Sequence, residues 1–222
     1  MQKTREQLNE IYELLLDTFG PQHWWPGETT FEIILGAILT QNTSWTNVAK
    51  AIANLKAADC LAPEKLHALE PEAIEQLIRP AGYFRLKTKR LRHFTQWLFD
   101  EYGGDLDALA QVQTRRLREE LLGISGIGPE TADSILLYAL NRPVFVVDTY
   151  TARVAVRHGL IEPDCDYEQL QYLFESNLET DVPLFNEYHA LLVRVGKDFC
   201  KPKPKCPACP LNGLPHTVEV EA

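Results

Sequence analysis

Two stretches of this chain bring together residue types that can do chemistry. The first runs GISGIGPETADSILLYALNRPVFVVD, from Gly123 to Asp148. Gly123, Gly126 and Gly128 permit positive φ and close backbone approach. Pro129 then opens a helix at the position where its missing N–H costs nothing. A glycine turn of this kind leaves the next helix's first amides free, with Thr131 in that first turn. Those amides and the helix dipole suit a phosphate oxygen, although the same pattern also describes a plain corner between two helices. Asp148 closes the stretch behind the apolar run PVFVV. It can cap a helix starting at Thr149, and the run ahead of it would hold its carboxylate rigidly. The second stretch is Cys200-x5-Cys206-x2-Cys209, followed by His216. Clustered thiols of this spacing favour a metal over a disulfide in a reducing compartment. Cys60 and Cys165 stand alone and read as ordinary thiols.

These groups need a scaffold, and the composition allows one. A chain of 222 residues accommodates one large domain or two small ones with a real core. Apolar content of 45% and charged content of 24% are ordinary for a globular protein. No apolar run approaches the roughly 20 residues needed to cross a bilayer, and the opening MQKTREQLNE has no signal-like core. The expectation is a cytoplasmic protein with no membrane partner. A net charge of −9 argues against broad nonspecific nucleic-acid binding. Distribution matters more than the sum. RLKTKRLR carries Arg85, Lys87, Lys89, Arg90 and Arg92, and TRRLR adds Arg115, Arg116 and Arg118. A basic face on an acidic body and a set of solvated helix faces both fit this pattern.

The periodicity predicts helices almost throughout. Leu8, Ile11, Leu15 and Phe19 form one stripe over Thr4–Phe19, and Gly20 stops it. Phe31–Leu39 is apolar enough to be a buried helix, and Asn47–Lys56 is amphipathic. Pro63 and Pro71 each mark a helix start. Lys87–Tyr102, Thr114–Leu122, Pro129–Leu140, Thr149–His158, Tyr167–Leu178 and Pro183–Lys197 complete the set. PVFVV alone looks like a strand, and with no alternating partner it reads as a buried connector. The tail beyond Pro202, rich in Pro and Lys, is expected to be ordered only by a ligand set.

GISGIGPETADSILLYA followed by VVDTYTARV resembles the helix–hairpin–helix and aspartate loop of the endonuclease III superfamily of DNA glycosylases. FEIILGAILTQNTSW resembles that family's N-terminal helix and its Gln-bearing loop. GYFRLKTKRL resembles its G-[FY]-x-x-K-A-x-x-[IL] segment, and GKDFC with the later cysteines stands where many members carry an iron–sulfur loop. HWWPGE and TQNTSW further resemble the helicobacterial type of 3-methyladenine DNA glycosylase within the superfamily.

The resemblance implies an all-α fold of two helical domains with an active-site cleft between them. One domain would span residues 26–138 and end in the hairpin, and the other would combine 1–25 with 139–222. It implies a monomeric enzyme of base excision repair whose partner is double-stranded DNA containing a damaged base. Asp148 matches the catalytic aspartate. Trp25, Pro26 and Trp45 would surround the flipped base, and Gln41 would fill the gap it leaves. Gly123, Gly126, Gly128, Thr131 and Lys87 would face the DNA. Members that also cut the strand place a Schiff-base lysine just inside the second hairpin helix. The matching residue here is Glu130, so the resemblance implies a monofunctional enzyme for alkylated purines. Alternatives are a glycosylase for mismatched thymine or oxidised pyrimidines, and a non-catalytic DNA-binding hairpin protein. Cys200, Cys206 and Cys209 match three ligands of a 4Fe–4S cluster. The fourth cysteine would fall near Pro215, and the adjacent His216 could replace it. A zinc site and a loop that binds nothing are the other two readings.

Overall fold

The computed structural model of the chain describes residues 2–218. Among them are eleven α-helices and no strand. The chain divides into two compact units, one of Met1–Trp24 with Pro143–Ala222 and the other of Trp25–Arg142.

The Trp25–Arg142 unit is built around α2 (Thr30–Leu39), whose residues Ile34, Leu35, Ile38 and Leu39 are fully buried. A helix apolar on every side must be surrounded. Around α2 stand α3 (Trp45–Ala57), α6 (Phe84–Tyr102) and α8 (Pro129–Ser134). Pro63 and Pro71 occupy the first turns of α4 (Pro63–Ala68) and α5 (Pro71–Leu77), as the sequence predicts. Helix α7 (Thr114–Gly123) packs on α8 across the glycine turn. Where the sequence predicts one helix over Pro129–Leu140, α8 gives way at Ile135 to a π-turn over Ile135–Ala139. The Leu140 N–H reaches back to the Ile135 carbonyl, and Arg142 N–H to that of Leu136. The Arg142 guanidinium then satisfies the carbonyls of Leu109, Ala110 and Val112, which fixes the wider turn.

The other unit packs α1 (Gln2–Phe19) and α9 (Thr149–Arg157) on α11 (Val182–Asp198). Leu8, Ile11 and Leu15 of α1 are buried, and the Tyr188 hydroxyl donates to the Leu8 carbonyl at 2.8 Å. The segment 143–147 is the buried connector the sequence predicts. Side chains of α10 (Tyr167–Glu175) replace the missing sheet partner. Glu175 accepts from the Phe145 N–H at 2.9 Å, and Gln171 donates to its carbonyl at 2.7 Å. Buried backbone groups thereby keep their hydrogen bonds. The Phe145 ring stacks on Phe174 at 4.3 Å and meets Phe185 edge-on at 5.2 Å. Each such ring contributes roughly 2–3 kcal/mol by burial. The connector is thus anchored one residue-pair short of Asp148. The tail is held by the protein itself, through buried Leu211 and a bond from Thr217 N–H to the Arg157 carbonyl.

Candidate active site

Three groups of residues carry the candidate chemistry, the first of them the hairpin. Of its glycines only Gly126 takes a positive φ, +94°, and a methyl there would stand 2.5 Å from Arg90 Cγ. Gly123 ends α7 and Gly128 precedes α8 with ordinary φ, so of the three glycines that permit a positive φ only Gly126 uses it. A methyl at either of those two would meet no protein atom within 4 Å. The turn is fastened from below. Arg118 donates to buried Asp133 through two nitrogens, at 2.6 and 3.0 Å, tying α7 to α8. His93 Nδ1 bonds the Ser125 carbonyl at 2.9 Å. Gln41 donates to the Gly126 carbonyl and the Thr131 hydroxyl, and accepts from Arg90. Thr131 is therefore buried and occupied by Gln41 rather than open to a phosphate. Glu130 is exposed in the first turn of α8, where the helix dipole favours its charge.

Lys87 is corrected more strongly. Its side chain is fully buried, and its ammonium donates to the Ala81 carbonyl at 2.7 Å. Burial, with Arg90 nearby, lowers its pKa to about 8. It braces the turn Arg79–Ala81 from inside and is not on the surface. The other basic residues are largely engaged too. Arg92 binds the Leu69 carbonyl, while Arg115 and Arg116 pair with Glu119 and Glu120 one turn on.

The second group is aromatic. Trp25 meets Trp45 edge-on at 5.2 Å and lies against Tyr138 at 5.0 Å. Both indoles rest on Gly36, where a methyl would stand 3.0 Å from Trp25 Nε1. A side chain at that helix position would push the pair away. Pro26, beside Trp25, is exposed. The third ring, Tyr138, is not among the residues the sequence singles out. Its only signal is one tyrosine in the aliphatic run ILLYAL, on the π-turn, a helix irregularity frequent at functional sites.

The third group surrounds Asp148, which caps α9. Its Oδ1 accepts from Tyr150 N at 2.9 Å, Thr151 N at 2.8 Å and Thr151 Oγ1 at 3.0 Å. His189 Nε2 stands 3.6 Å from Oδ2. Burial would raise the carboxyl pKa, but His189 and the Thr151 donors outweigh it and hold it below the ordinary aspartate value. Asp148 is thus an ionised carboxylate in a nearly closed site. Close by in sequence, Tyr150 packs on Gly196 and carries the Lys197 ammonium 5.7 Å over its ring, with Trp24 at 6.0 Å.

In the tail, Cys200, Cys206, Cys209 and His216 line one cavity with His158. Arg157 donates to Cys200 Sγ at 3.2 Å. Burial, with Cys200 and Cys206 nearby, raises the Cys209 pKa. His216 Nδ1 lies 2.8 Å from the Leu214 carbonyl, so Nε2 is the ring nitrogen left for a metal. Among the described residues no three acidic, Cys or His side chains converge tightly enough for a single ion.

Residues 35–180 match the HhH-GPD superfamily of base excision DNA repair proteins. The chain is 48% identical, over 93% of its length and 94% of the relative's, to a protein of Methanocaldococcus jannaschii named as a DNA repair glycosylase. It is 29% identical to endonuclease III of Thermotoga maritima over 81% of this chain and 79% of that one. Among solved structures, the 3-methyladenine DNA glycosylase of H. pylori bound to 1,N6-ethenoadenine is 31% identical, with a TM-score of 0.75. The match covers 87% of this chain and 97% of that one. An endonuclease III trapped on DNA shares the fold, at a TM-score of 0.79 and 24% identity, over 95% of this chain and 94% of that one.

Proposed function

We propose a function on one premise: the chain belongs to the HhH-GPD superfamily of base excision DNA repair proteins and is a DNA glycosylase of that family. On our reading it is a monofunctional enzyme that removes alkylated purines such as 3-methyladenine from double-stranded DNA, acting as a monomer. The observation that carries the substrate class is the cluster of Trp25, Trp45 and Tyr138 on Gly36. A purine alkylated at N3 or N7, such as 3-methyladenine in DNA, is a cation whose glycosidic bond is already weak. Aromatic faces attract it by cation–π interaction, about 2 kcal/mol when desolvated, and need few hydrogen bonds to hold it. The likeness to a 3-methyladenine glycosylase supports the same reading.

In the hydrolysis, the bond between the base and C1′ breaks and its electron pair leaves with the base. The positive charge left on the sugar is stabilised by the Asp148 carboxylate. Water bonds to C1′, and its proton passes to Asp148. Glu130 stands where a strand-cutting member would have its lysine, and a carboxylate forms no Schiff base, so the product is an abasic site. Cys200, Cys206, Cys209 and His216 would hold a 4Fe–4S cluster that ties the tail to the end of α11.

Duplexes carrying single lesions test the substrate. Release of 3-methyladenine or 1,N6-ethenoadenine, with none of thymine glycol, is expected, and the reverse pattern sinks the assignment. Asp148→Asn should lose at least about a hundredfold in single-turnover rate. Borohydride on abasic DNA should trap no adduct; a covalent complex would contradict the Glu130 argument.

A further inference from the structure

The two oxygens of Asp148 are held in different ways. Oδ1 takes three donors from Tyr150 and Thr151, which saturates an oxygen with about two lone-pair sites. It has no capacity left for a water or a sugar cation, so that work falls to Oδ2. The group facing Oδ2 is the imidazole of His189, at 3.6 Å. Helix capping does not require this contact, because Oδ1 already satisfies the first amides of α9. His189 is 5% exposed and sits in α11 between Tyr188, bonded to the Leu8 carbonyl, and buried Ala190. Burial this deep leaves the imidazole little room to turn its edge away from Oδ2. The distance is long for a hydrogen bond, as catalytic contacts often are before substrate tightens them.

We propose that His189 is a positioning residue of the glycosylase reaction, donating Nε2–H to Asp148 Oδ2 so that the free oxygen of the carboxylate is fixed in place. This rests on the reading of Asp148 as the catalytic carboxylate. His189 does not touch the sugar. It acts by fixing the carboxylate plane, which the cap alone holds at one oxygen only. The sequence offers little hint of it, a lone histidine in YHALLV that reads as a core residue.

Glutamine and methionine are nearly equal in size, and only glutamine can donate. In single-turnover release of 3-methyladenine from duplex DNA, His189→Gln should stay within about threefold of wild type. His189→Met should fall roughly tenfold to a hundredfold, the worth of one hydrogen bond to a charged group. Affinity for abasic-site DNA should be unchanged in both, so that the loss lies in the chemical step. Equal rates for the two variants, or a loss confined to DNA affinity, overturn the proposal. Should the methionine variant fail to fold, 15N NMR of His189 in the wild-type protein decides. A proton on Nε2 supports the proposal, and one on Nδ1 alone overturns it. Asp148→Asn is run alongside. Full activity there removes the catalytic reading itself, whereas an inactive Asp148→Asn with a fully active His189→Met removes only the role of His189.

Discussion

The ion pair of Arg118 and Asp133 joins the two helices of the hairpin, and its removal should be felt throughout that unit. Asp133 is completely buried and Arg118 keeps 22% of its side-chain surface exposed. The guanidinium meets both carboxylate oxygens, at 2.6 and 3.0 Å. Two-point contact with a desolvated carboxylate is the geometry in which losing one partner is most costly. Arg118→Met keeps most of the side-chain volume and leaves the carboxylate buried without its counter-charge. The expected loss is about 3–5 kcal/mol. For a chain of this size that lowers Tm by roughly 10 °C. Asp133→Asn, which removes the charge but keeps an acceptor for Arg118, should cost about half as much. The double variant Arg118→Met with Asp133→Leu buries no charge and should recover most of the loss. Urea unfolding followed by circular dichroism and tryptophan fluorescence gives all three values. A cost below about 1 kcal/mol for Arg118→Met would refute the reasoning, and so would a double variant that costs as much as Arg118→Met alone. Because the pair sets the angle between α7 and α8, Arg118→Met should also weaken binding to undamaged duplex.

Gly196→Ala would place a methyl 2.6 Å from Cβ of Tyr150, an atom that cannot swing aside. Loss of about 2–3 kcal/mol on thermal unfolding is expected, with slower base release, since Asp148 and Tyr150 share the start of α9. Lys87 holds its proton less tightly when folded, with a pKa of about 8 against 10.5. The unfolded chain therefore binds more protons between those values, and stability climbs with pH across that window. Between pH 7 and about pH 9.5 wild type should gain about 2 kcal/mol relative to Lys87→Met; a constant difference would mean that the lysine titrates normally. Freshly purified protein should contain iron and acid-labile sulfide with the broad visible absorbance of a cluster. His216→Ala should reduce both, and one zinc per chain, or no metal, would show the cavity to serve something else.

Most of the helices were legible from periodicity and punctuation. Gly20 and Gly103 end α1 and α6 with positive φ, and Pro63 and Pro71 begin α4 and α5. Asp148 as a cap was equally readable, because a cap is made by neighbours in sequence. The π-turn was not, since it depends on Arg142 reaching carbonyls some thirty residues back. His189, Tyr138 and the fastening of Gln41 to Thr131 escaped for the same reason, as each is made by residues far apart in the chain. Lys87 is different. It lies at helical spacing with Leu91, Phe94 and Leu98, all fully buried. The stripe that buries those three also buries Lys87, and reading the segment by charge hid what its periodicity already said. The same segment shows why a net charge of −9 and a local run of arginines do not by themselves settle how DNA is held. Arg90, Arg92 and Arg118 are committed to Gln41, Leu69 and Asp133. Arg90 and Arg118 brace the hairpin from within and Arg92 holds the end of α4, so on the proposed reading it falls to the hairpin's own backbone amides to meet a phosphate.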